Sequence, residues 1–386
     1  MNKTVTKSNR VFFLDFLRVI AIIGIILVHI PGIWINNLSI VGFKFYSIAV
    51  VFKVLGKFGV PIFLMLTGYL VLNKINNDKI NNDKIINSET NNKNNYLDFS
   101  NVFKKIYKRI LIPMIFWSPI LLIIAHFALN LFPNWQSFGI KLLTTYLSQY
   151  WYVWLIIGVY LALPILNEFV KNTKEEGVKY FIAISIVASI IWIISSIIEY
   201  KPFYLDLTLF LGPFTYVILG YYLKIKKFKL KPKTLCLISL TLFILTTIIY
   251  SLIEIKYGRN IETFLRPLIN KTTVLNLDVD LILMLQGFSL FVFIQNLSKF
   301  KFKDILRFKI VKLFKKLIES ISKASFGIYI VHYLFLYIIL SYKPFLIQHN
   351  PLLMIPIILI AIFIPSYLLI IITSKIPIVN KLNGYY

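Results

Sequence analysis

Residues 11–33 have the sequence VFFLDFLRVIAIIGIILVHIPGI, and this stretch decides the class of fold. It is long enough to cross a bilayer, because a helix needs about 20 mostly apolar residues to span the hydrocarbon core. It is too long for the apolar region of a signal peptide, lacks a small-x-small cleavage site and carries an arginine inside. We therefore predict that this stretch is a membrane-spanning helix.

Nine further stretches resemble it in length and apolar character, so we predict an all-α, polytopic membrane helix bundle with about ten transmembrane helices. The composition agrees, since 58% of the 386 residues are hydrophobic and only 15% are charged. Such values exclude a soluble enzyme and a disordered chain. The single cysteine excludes an internal disulfide and a cysteine-based metal site, and we predict no metal. The predicted spans are residues 11–33, 46–72, 110–132, 150–166, 178–198, 205–223, 235–255, 274–297, 324–342 and 352–373.

The net charge of +26 has a one-sided distribution along the chain. Of the 42 lysines and arginines, 30 fall on the two tails and on alternate loops, 8 on the opposite loops and 4 within spans. The positive-inside rule then places both termini in the cytoplasm. This predicts a multi-pass protein of the plasma membrane, in contact with lipid, whose basic charge orients the spans and does not indicate nucleic acid as a partner.

Two cytoplasmic segments interrupt what is otherwise a single transmembrane domain over residues 1–386. Residues 73–100 contain the tandem repeat INNDK-INNDK in an Asn-rich tract, which predicts a low-complexity loop without chemistry of its own. Residues 301–318 carry apolar side chains at helical spacing and lysines around the other faces. They predict an amphipathic interfacial helix on the inner leaflet, held by lipid headgroups or by a phosphorylated cytosolic ligand.

The first span contains three ionisable residues. Asp15 and Arg18 are spaced i,i+3 and can pair on one face. Arg18 and His29 are eleven residues apart, so they share that face at a separation of about 16 Å. Because ionisable groups are costly in lipid, this stripe is expected to face a protein interior or an aqueous cavity. The ion pair could be purely structural, and His29 could be a buried hydrogen-bond donor to a neighbouring backbone. The alternative is a catalytic site, because histidine is the side chain whose ordinary pKa suits general acid–base catalysis near neutral pH.

Two other spans carry polar side chains on one face. Lys53 and Lys57, spaced i,i+4, could extend to the outer interface or line the same cavity as His29. Ser325, Tyr329 and His332 recur at i, i+4 and i+7 in the ninth span, where they could form a packing network or line a substrate path.

Five segments occur in an order that is typical of one membrane-protein family. The segments are DFLR at 15–18 with His29, KFGVPIFLMLTGY at 57–69, RILIP at 109–113, YWYV at 150–153 followed by Tyr160 and Pro164, and SFGIYIVH at 325–332. Together they resemble the acyltransferase-3 family of integral-membrane acyltransferases that O-acetylate surface glycans. The chain departs from that pattern at Ile106, where an arginine is usual, and at Gln149, where a histidine often stands.

The resemblance implies a cytoplasmic acyl donor, usually acetyl-CoA, and an acceptor hydroxyl on a cell-surface or lipid-linked glycan. It suggests His29 as general base or transient acyl carrier, with Arg18 oriented by Asp15. Arg109 would bind the donor's phosphates, with Lys105 or Lys108 in place of the missing arginine. The residues predicted along the substrate path are Lys53, Lys57, Trp151, Tyr152, Ser325, Tyr329 and His332.

Other classes of protein stay open at this point. A proton-coupled transporter or flippase could use the Asp15, Arg18 and His29 stripe as a relay, although the sequence shows no clear internal repeat of the kind many transporters have. A sensor or structural membrane protein is a third alternative. The acceptor and the acyl group are not determined by the sequence.

Overall fold

A computed structural model of the chain describes residues 11–73, 99–129, 149–197, 207–265, 281–300 and 308–386. The secondary structure in these ranges is helical, and no strand occurs in them. The α-helices are α1 (Phe12–His29), α2 (Gly32–Ile35), α3 (Leu38–Gly56), α4 (Gly59–Val71), α5 (Phe99–Ile106), α6 (Ile112–Leu129), α7 (Trp151–Ile197), α8 (Thr208–Leu211), α9 (Pro213–Ile225), α10 (Pro232–Leu265), α11 (Leu281–Leu297), α12 (Phe308–Leu340), α13 (Lys343–Leu346) and α14 (Pro351–Thr373). A π-helical turn (Tyr107–Leu111) joins α5 to α6, and a 3-10 turn (Val379–Lys381) follows α14.

The all-α membrane class predicted from the sequence is confirmed. Within the described ranges, seven helical segments are long and apolar enough to cross a membrane by length and composition. The shorter α11 is also apolar, and the residues preceding it, 266–280, lie outside the described part of the chain. The count of about ten spans and the cytoplasmic placement of the termini stay predictions.

The predicted span at 46–72 is not one continuous helix. The structure ends α3 at Gly56 and begins α4 at Gly59. The physical reason is Pro61, which has no backbone N–H to donate and is tolerated in the first turn of a helix but not in its interior.

The fourth and fifth predicted spans are one helical run broken at a single residue. Lys174, inside α7, has φ +54° and ψ −146°, which no α-helix accommodates. The two apolar stretches at 150–166 and 178–198 therefore lie on either side of a real break. Their separation agrees with the loop predicted between them.

The two segments predicted to be cytoplasmic are described only in part. Residues 74–98 of the Asn-rich loop and residues 301–307 of the amphipathic segment lie outside the described ranges. From Phe308 onward the amphipathic segment is the beginning of α12, which continues without interruption to Leu340. Its contact with the inner leaflet stays a prediction.

Helix α1 lies at the centre of the bundle, where it contacts α3, α4, α11, α12 and α14. Most of its side chains are buried, including Leu17, Ile22 and Ile26, which have no exposed surface. A helix that is apolar on nearly all sides is expected in such a central position. The polar residues of α1 therefore face other helices of the protein.

Helices α4 and α9 approach each other closely because of two glycines. A Cβ atom on Gly68 would overlap the carbonyl of Val217, and one on Gly220 would overlap the carbonyl of Met65. Small residues allow helix backbones to come together in a membrane, where dispersion contacts replace much of the hydrophobic driving force. This pair of glycines fixes α4 beside α9.

Candidate active site

Helices α1 and α12 run side by side in a constant register. Arg18 Nη1 lies 3.4 Å from Ser322 Oγ, and His29 Nε2 lies 3.3 Å from the hydroxyl of Tyr333. Both pairs are separated by 304 residues in the chain, so the two helices are parallel over the three turns between these contacts. The polar stripe of α1 therefore faces a matching polar stripe of α12.

At one end of this shared stripe, Asp15 and Arg18 form an ion pair with a distance of 3.2 Å between Oδ1 and Nη1. Ser322 also donates a hydrogen bond of 2.6 Å to Asp15 Oδ1. Asp15 is only 4% exposed, so its carboxylate depends on these partners for stabilisation. Asp15 and Ser322 together hold the guanidinium of Arg18 against the α12 surface.

At the other end, His29 belongs to an aromatic and imidazole cluster. Its ring centroid lies 5.4 Å from that of His332 and 5.0 Å from that of Tyr333. His332 is fully buried, whereas His29 keeps some exposed surface at the end of α1. The structure thus brings two histidines from distant parts of the sequence into one site.

The backbone of α12 determines which nitrogen of His332 carries a proton. His332 Nδ1 lies 2.5 Å from the carbonyl oxygen of Tyr329. Because a carbonyl can only accept, Nδ1 is the donor, and the neutral ring has its lone pair on Nε2. Within the described ranges, neither His332 Nε2 nor the Tyr329 hydroxyl has a hydrogen-bond partner, although both atoms are buried. Such buried polar atoms require a partner, and a bound substrate or water would supply one.

Three other residues predicted along the substrate path lie at or near this cluster. Tyr152 is buried and packs edge-on against Tyr329, with ring centroids 5.3 Å apart. Trp151 packs edge-on against Tyr152 and is 42% exposed. Ser325 is buried and donates to the carbonyl of Ser322, which places it between the two ends of the shared stripe.

Lys53 and Lys57 have a different set of neighbours. Lys53 Nζ donates to Glu254 Oε1 at 2.6 Å, and Lys57 Nζ donates to the Tyr250 hydroxyl at 2.6 Å. Lys57 Nζ also lies 3.6 Å from Glu254 Oε2. Both lysines thus face α10. The sequence had suggested that they extend to the outer interface or line the cavity of His29, and neither alternative included α10. Pairing with one carboxylate offsets part of the cost of burying two ammonium groups. Their place on a substrate path stays a prediction.

The residues predicted to bind the donor lie around the π-helical turn that precedes α6. Lys108 and Arg109 are exposed in this turn, and Lys105 is partly exposed one turn earlier. Ile106, where the family pattern has an arginine, is buried in the apolar core. π-Helical turns are rare and occur frequently at functional sites. The turn presents its two cations outside the apolar bundle, and in the predicted topology it lies on the cytoplasmic side.

Two residues of the shared stripe were not found by sequence reasoning. Tyr333 directly follows His332 and contacts His29, and Ser322 lies one turn before Ser325 and contacts both Asp15 and Arg18. The helical periodicity that grouped Ser325, Tyr329 and His332 could have found both residues. Extending it back by one turn reaches Ser322, and Tyr333 is the position next to His332. Glu254 and Tyr250 gave no local indication, because their partners are about 200 residues away in the sequence.

The described residues contain no group of side chains that could hold a metal ion. No three His, Cys, Asp or Glu side chains come together there as a metal ion would require. The polar groups at the site are imidazole, phenol, hydroxyl and one guanidinium–carboxylate pair, a set suited to proton transfer and anion binding.

These features define an α-helical integral-membrane protein with a histidine-centred polar site between two helices of its bundle. The chain belongs to the acyltransferase-3 family, since the family model described as an acyltransferase domain matches residues 11–371. The resemblance inferred from five short segments is confirmed, and the protein is a membrane acyltransferase. Comparison with curated proteins gives no match, and neither does comparison with solved structures.

Proposed function

We propose that this acyltransferase transfers an acetyl group from cytoplasmic acetyl-CoA to a hydroxyl of a cell-surface or lipid-linked glycan at the plasma membrane. The observation that supports it most strongly is the pairing of His29 with His332 and Tyr333 along parallel helices. In the described part of the chain, His332 Nε2 and the Tyr329 hydroxyl have no hydrogen-bond partner, and both atoms lie in the same cluster. This is a buried, polar, proton-accepting site at one end of a stripe whose other end carries Arg18.

The donor would bind from the side on which Lys105, Lys108 and Arg109 are presented. Coenzyme A carries several phosphate charges, and a guanidinium at a helix end is suited to bind them. Arg18 lies deeper, on the stripe that leads to His29, where it would hold the pantetheine arm or polarise the thioester carbonyl. Its orientation is fixed by Asp15 and Ser322.

In the proposed reaction, His29 accepts the proton of the acceptor hydroxyl while the hydroxyl oxygen attacks the thioester carbonyl carbon. The new ester bond forms and the carbon–sulfur bond breaks. The imidazolium then returns its proton to the departing thiolate, so the products are the acylated glycan and free coenzyme A. His332 and Tyr333 would orient the ring of His29 during both transfers.

Purified protein incubated with acetyl-CoA and extracted envelope glycan is expected to release free thiol in step with acetyl ester formation. Thiol release is followed with a thiol-reactive dye, and the glycan is weighed for a gain of one acetyl group. The matched control omits the glycan. A transporter would leave acetyl-CoA intact, so the absence of thiol release from the complete mixture would contradict the proposal.

Replacing Arg18 by lysine is expected to lower kcat/KM for acetyl-CoA by about tenfold, because lysine keeps the charge but loses the planar fork that Asp15 and Ser322 orient. The measurement is thiol release as a function of acetyl-CoA concentration. Asp15→Asn is the companion variant, since it keeps an acceptor for Ser322 and removes the charge opposite Arg18. If Arg18→Lys has wild-type kinetics, the planar geometry of the guanidinium is not needed for donor binding or catalysis.

A further inference from the structure

The last residues of the chain fold back onto the side of the bundle that carries Arg109. Trp117 Nε1 donates to the backbone carbonyl of Asn383 at 3.3 Å. The Asn383 side chain is fully buried and donates to the carbonyl of Ile370 and to Thr373 Oγ1, both on α14. Asn383 is thus held between α6 and α14 by side-chain and backbone bonds together, which makes it a specific docking point.

Helix α12 provides the third surface for this docked segment. The backbone N–H of Gly327 donates to the carbonyl of Gly384, and the N–H of Tyr386 donates to the carbonyl of Lys323. A Cβ atom on Gly327 would lie 2.7 Å from the carbonyl oxygen of Asn383, so a larger residue would push the segment away. Gly384 has φ +81°, a conformation that glycine adopts readily. The bend at Gly384 directs Tyr386 toward the π-helical turn.

Tyr386 contacts the donor-binding turn through both its hydroxyl and its ring. The hydroxyl donates a hydrogen bond of 2.9 Å to the carbonyl of Lys108. The Arg109 guanidinium carbon lies 5.5 Å from the centroid of the Tyr386 ring, within the range of a cation–π contact. Partial burial raises the pKa of Tyr386, an effect that Arg109 opposes, so the phenol stays protonated as the hydrogen-bond donor.

From these contacts we infer that residues 383–386 form a clamp that holds Arg109 in its donor-binding orientation, with Tyr386 as the positioning residue. The inference rests on the proposed function, because it assigns Tyr386 a role through Arg109. The clamp is anchored to α12 by the hydrogen bond from the Tyr386 N–H to the carbonyl of Lys323. Lys323 directly follows Ser322, whose hydroxyl contacts Arg18. The same turn of α12 therefore contacts both cations, Arg18 directly through Ser322 and Arg109 through Tyr386.

A cation held in advance loses less conformational freedom when it binds phosphate than a free arginine does. The contact with Tyr386 is present before the donor binds and is not specific to the transition state. Its loss should therefore affect donor binding equally in the ground state and in the transition state. Such a change raises KM for the donor and leaves kcat unaltered.

The experiment compares Tyr386→Ala, Tyr386→Leu and Tyr386→Phe with the wild type in the full-length protein, using acetyl-CoA as the donor. For Ala and Leu, the donor KM is expected to rise about tenfold with kcat unchanged, as loss of a cation–π contact and of preorganisation predicts. Phe keeps the ring over Arg109 and loses only the bond to Lys108, so its KM is expected to stay within about threefold of wild type. Tyr386→Leu keeps much of the side-chain volume, so it provides the same test if Tyr386→Ala does not fold.

Ile378→Ala is the matched control, because Ile378 precedes the clamp and is 77% exposed. If Tyr386→Ala and Tyr386→Leu show the same donor KM as Ile378→Ala, the clamp does not position Arg109. A rise in KM for Phe equal to that for Ala would also overturn the inference, because the ring would then have no role. A fall in kcat at constant donor KM would overturn it as well.

Arg109→Ala separates failure of the clamp from failure of the donor site. If this variant raises the donor KM and the Tyr386 variants do not, the clamp is wrong and the donor site stands. If neither affects KM, the donor site is wrong and the clamp falls with it. A readout besides activity is the rate at which phenylglyoxal modifies Arg109, measured by peptide mass. This rate should rise in Tyr386→Ala and Tyr386→Leu, and an unchanged rate in both would overturn the inference.

Discussion

Replacing His29 by alanine is expected to lower kcat for acyl transfer by about 10²- to 10⁴-fold, the range that a positioned general base contributes. In the proposed mechanism, the substitution leaves the acceptor hydroxyl without a proton acceptor at the end of α1, whereas Arg18 and the cations proposed to bind the donor are unchanged. The measurement is initial-rate thiol release and acetyl-ester formation by variant protein that is purified from the membrane at wild-type yield. The donor KM should stay near its wild-type value, because His29 lies at the opposite end of the stripe from Arg18.

Two companion variants make the result specific. Tyr333→Phe removes the hydroxyl that lies 3.3 Å from His29 Nε2, and it should lower kcat by a smaller factor of about tenfold, because the proposed base is present but less well oriented. His349→Ala removes a histidine that lies between α13 and α14 and has no role in the proposed mechanism, so it should be without effect. Acetylation at the wild-type rate by His29→Ala would exclude His29 as the base. It would direct attention to His332, whose Nε2 also lies in the cluster.

Replacing Gly220 by alanine is expected to destabilise the protein by about 3 kcal/mol, at the upper end of the usual cost of overpacking. The new methyl group would overlap the carbonyl of Met65 on α4, which is backbone and cannot change rotamer. Helices α4 and α9 would have to separate along their whole contact. The expected result is a lower midpoint of thermal unfolding in detergent and less folded protein in the membrane. Gly68→Ala should behave in the same way, because its methyl group would overlap the carbonyl of Val217.

Gly158 in α7 provides the control for this prediction. Among the described residues, a Cβ atom there meets nothing within 4 Å, so we expect Gly158→Ala to create no clash. Alanine is more favourable than glycine in a helix by up to about 1 kcal/mol, and this variant should be neutral or slightly stabilised. Equal stability of Gly220→Ala and Gly158→Ala would show that the close approach of α4 and α9 does not determine the fold.

The polar stripe of α1 could be predicted from the sequence because its members belong to one helix. Asp15, Arg18 and His29 are separated by three and eleven residues, and helical geometry alone places them on one face. The same reasoning grouped Ser325, Tyr329 and His332 on α12. It could not show that the two stripes face each other, because the periodicity of one helix contains no information about its neighbour.

The partners of the buried lysines could not be predicted at all. Lys53 and Lys57 meet Glu254 and Tyr250 of α10, and nothing within a few residues of either lysine indicates that helix. The docking of Asn383 and Tyr386 is of the same kind. The short tail after the last apolar span has no helical periodicity, and its partners on α6, α12 and α14 are known only once those helices are packed.

The sequence by itself therefore determined the class of protein, the positions of the apolar segments and the family. These depend on composition, on segment length against the thickness of a bilayer, and on the order of short motifs. The tertiary structure decided what each charge faces. It places Arg18 against Ser322, His29 against His332 and Tyr333, Lys57 against Tyr250, and Arg109 against Tyr386. A charge inside a membrane protein must find a partner, but which helix supplies that partner follows only from the packing of the whole bundle.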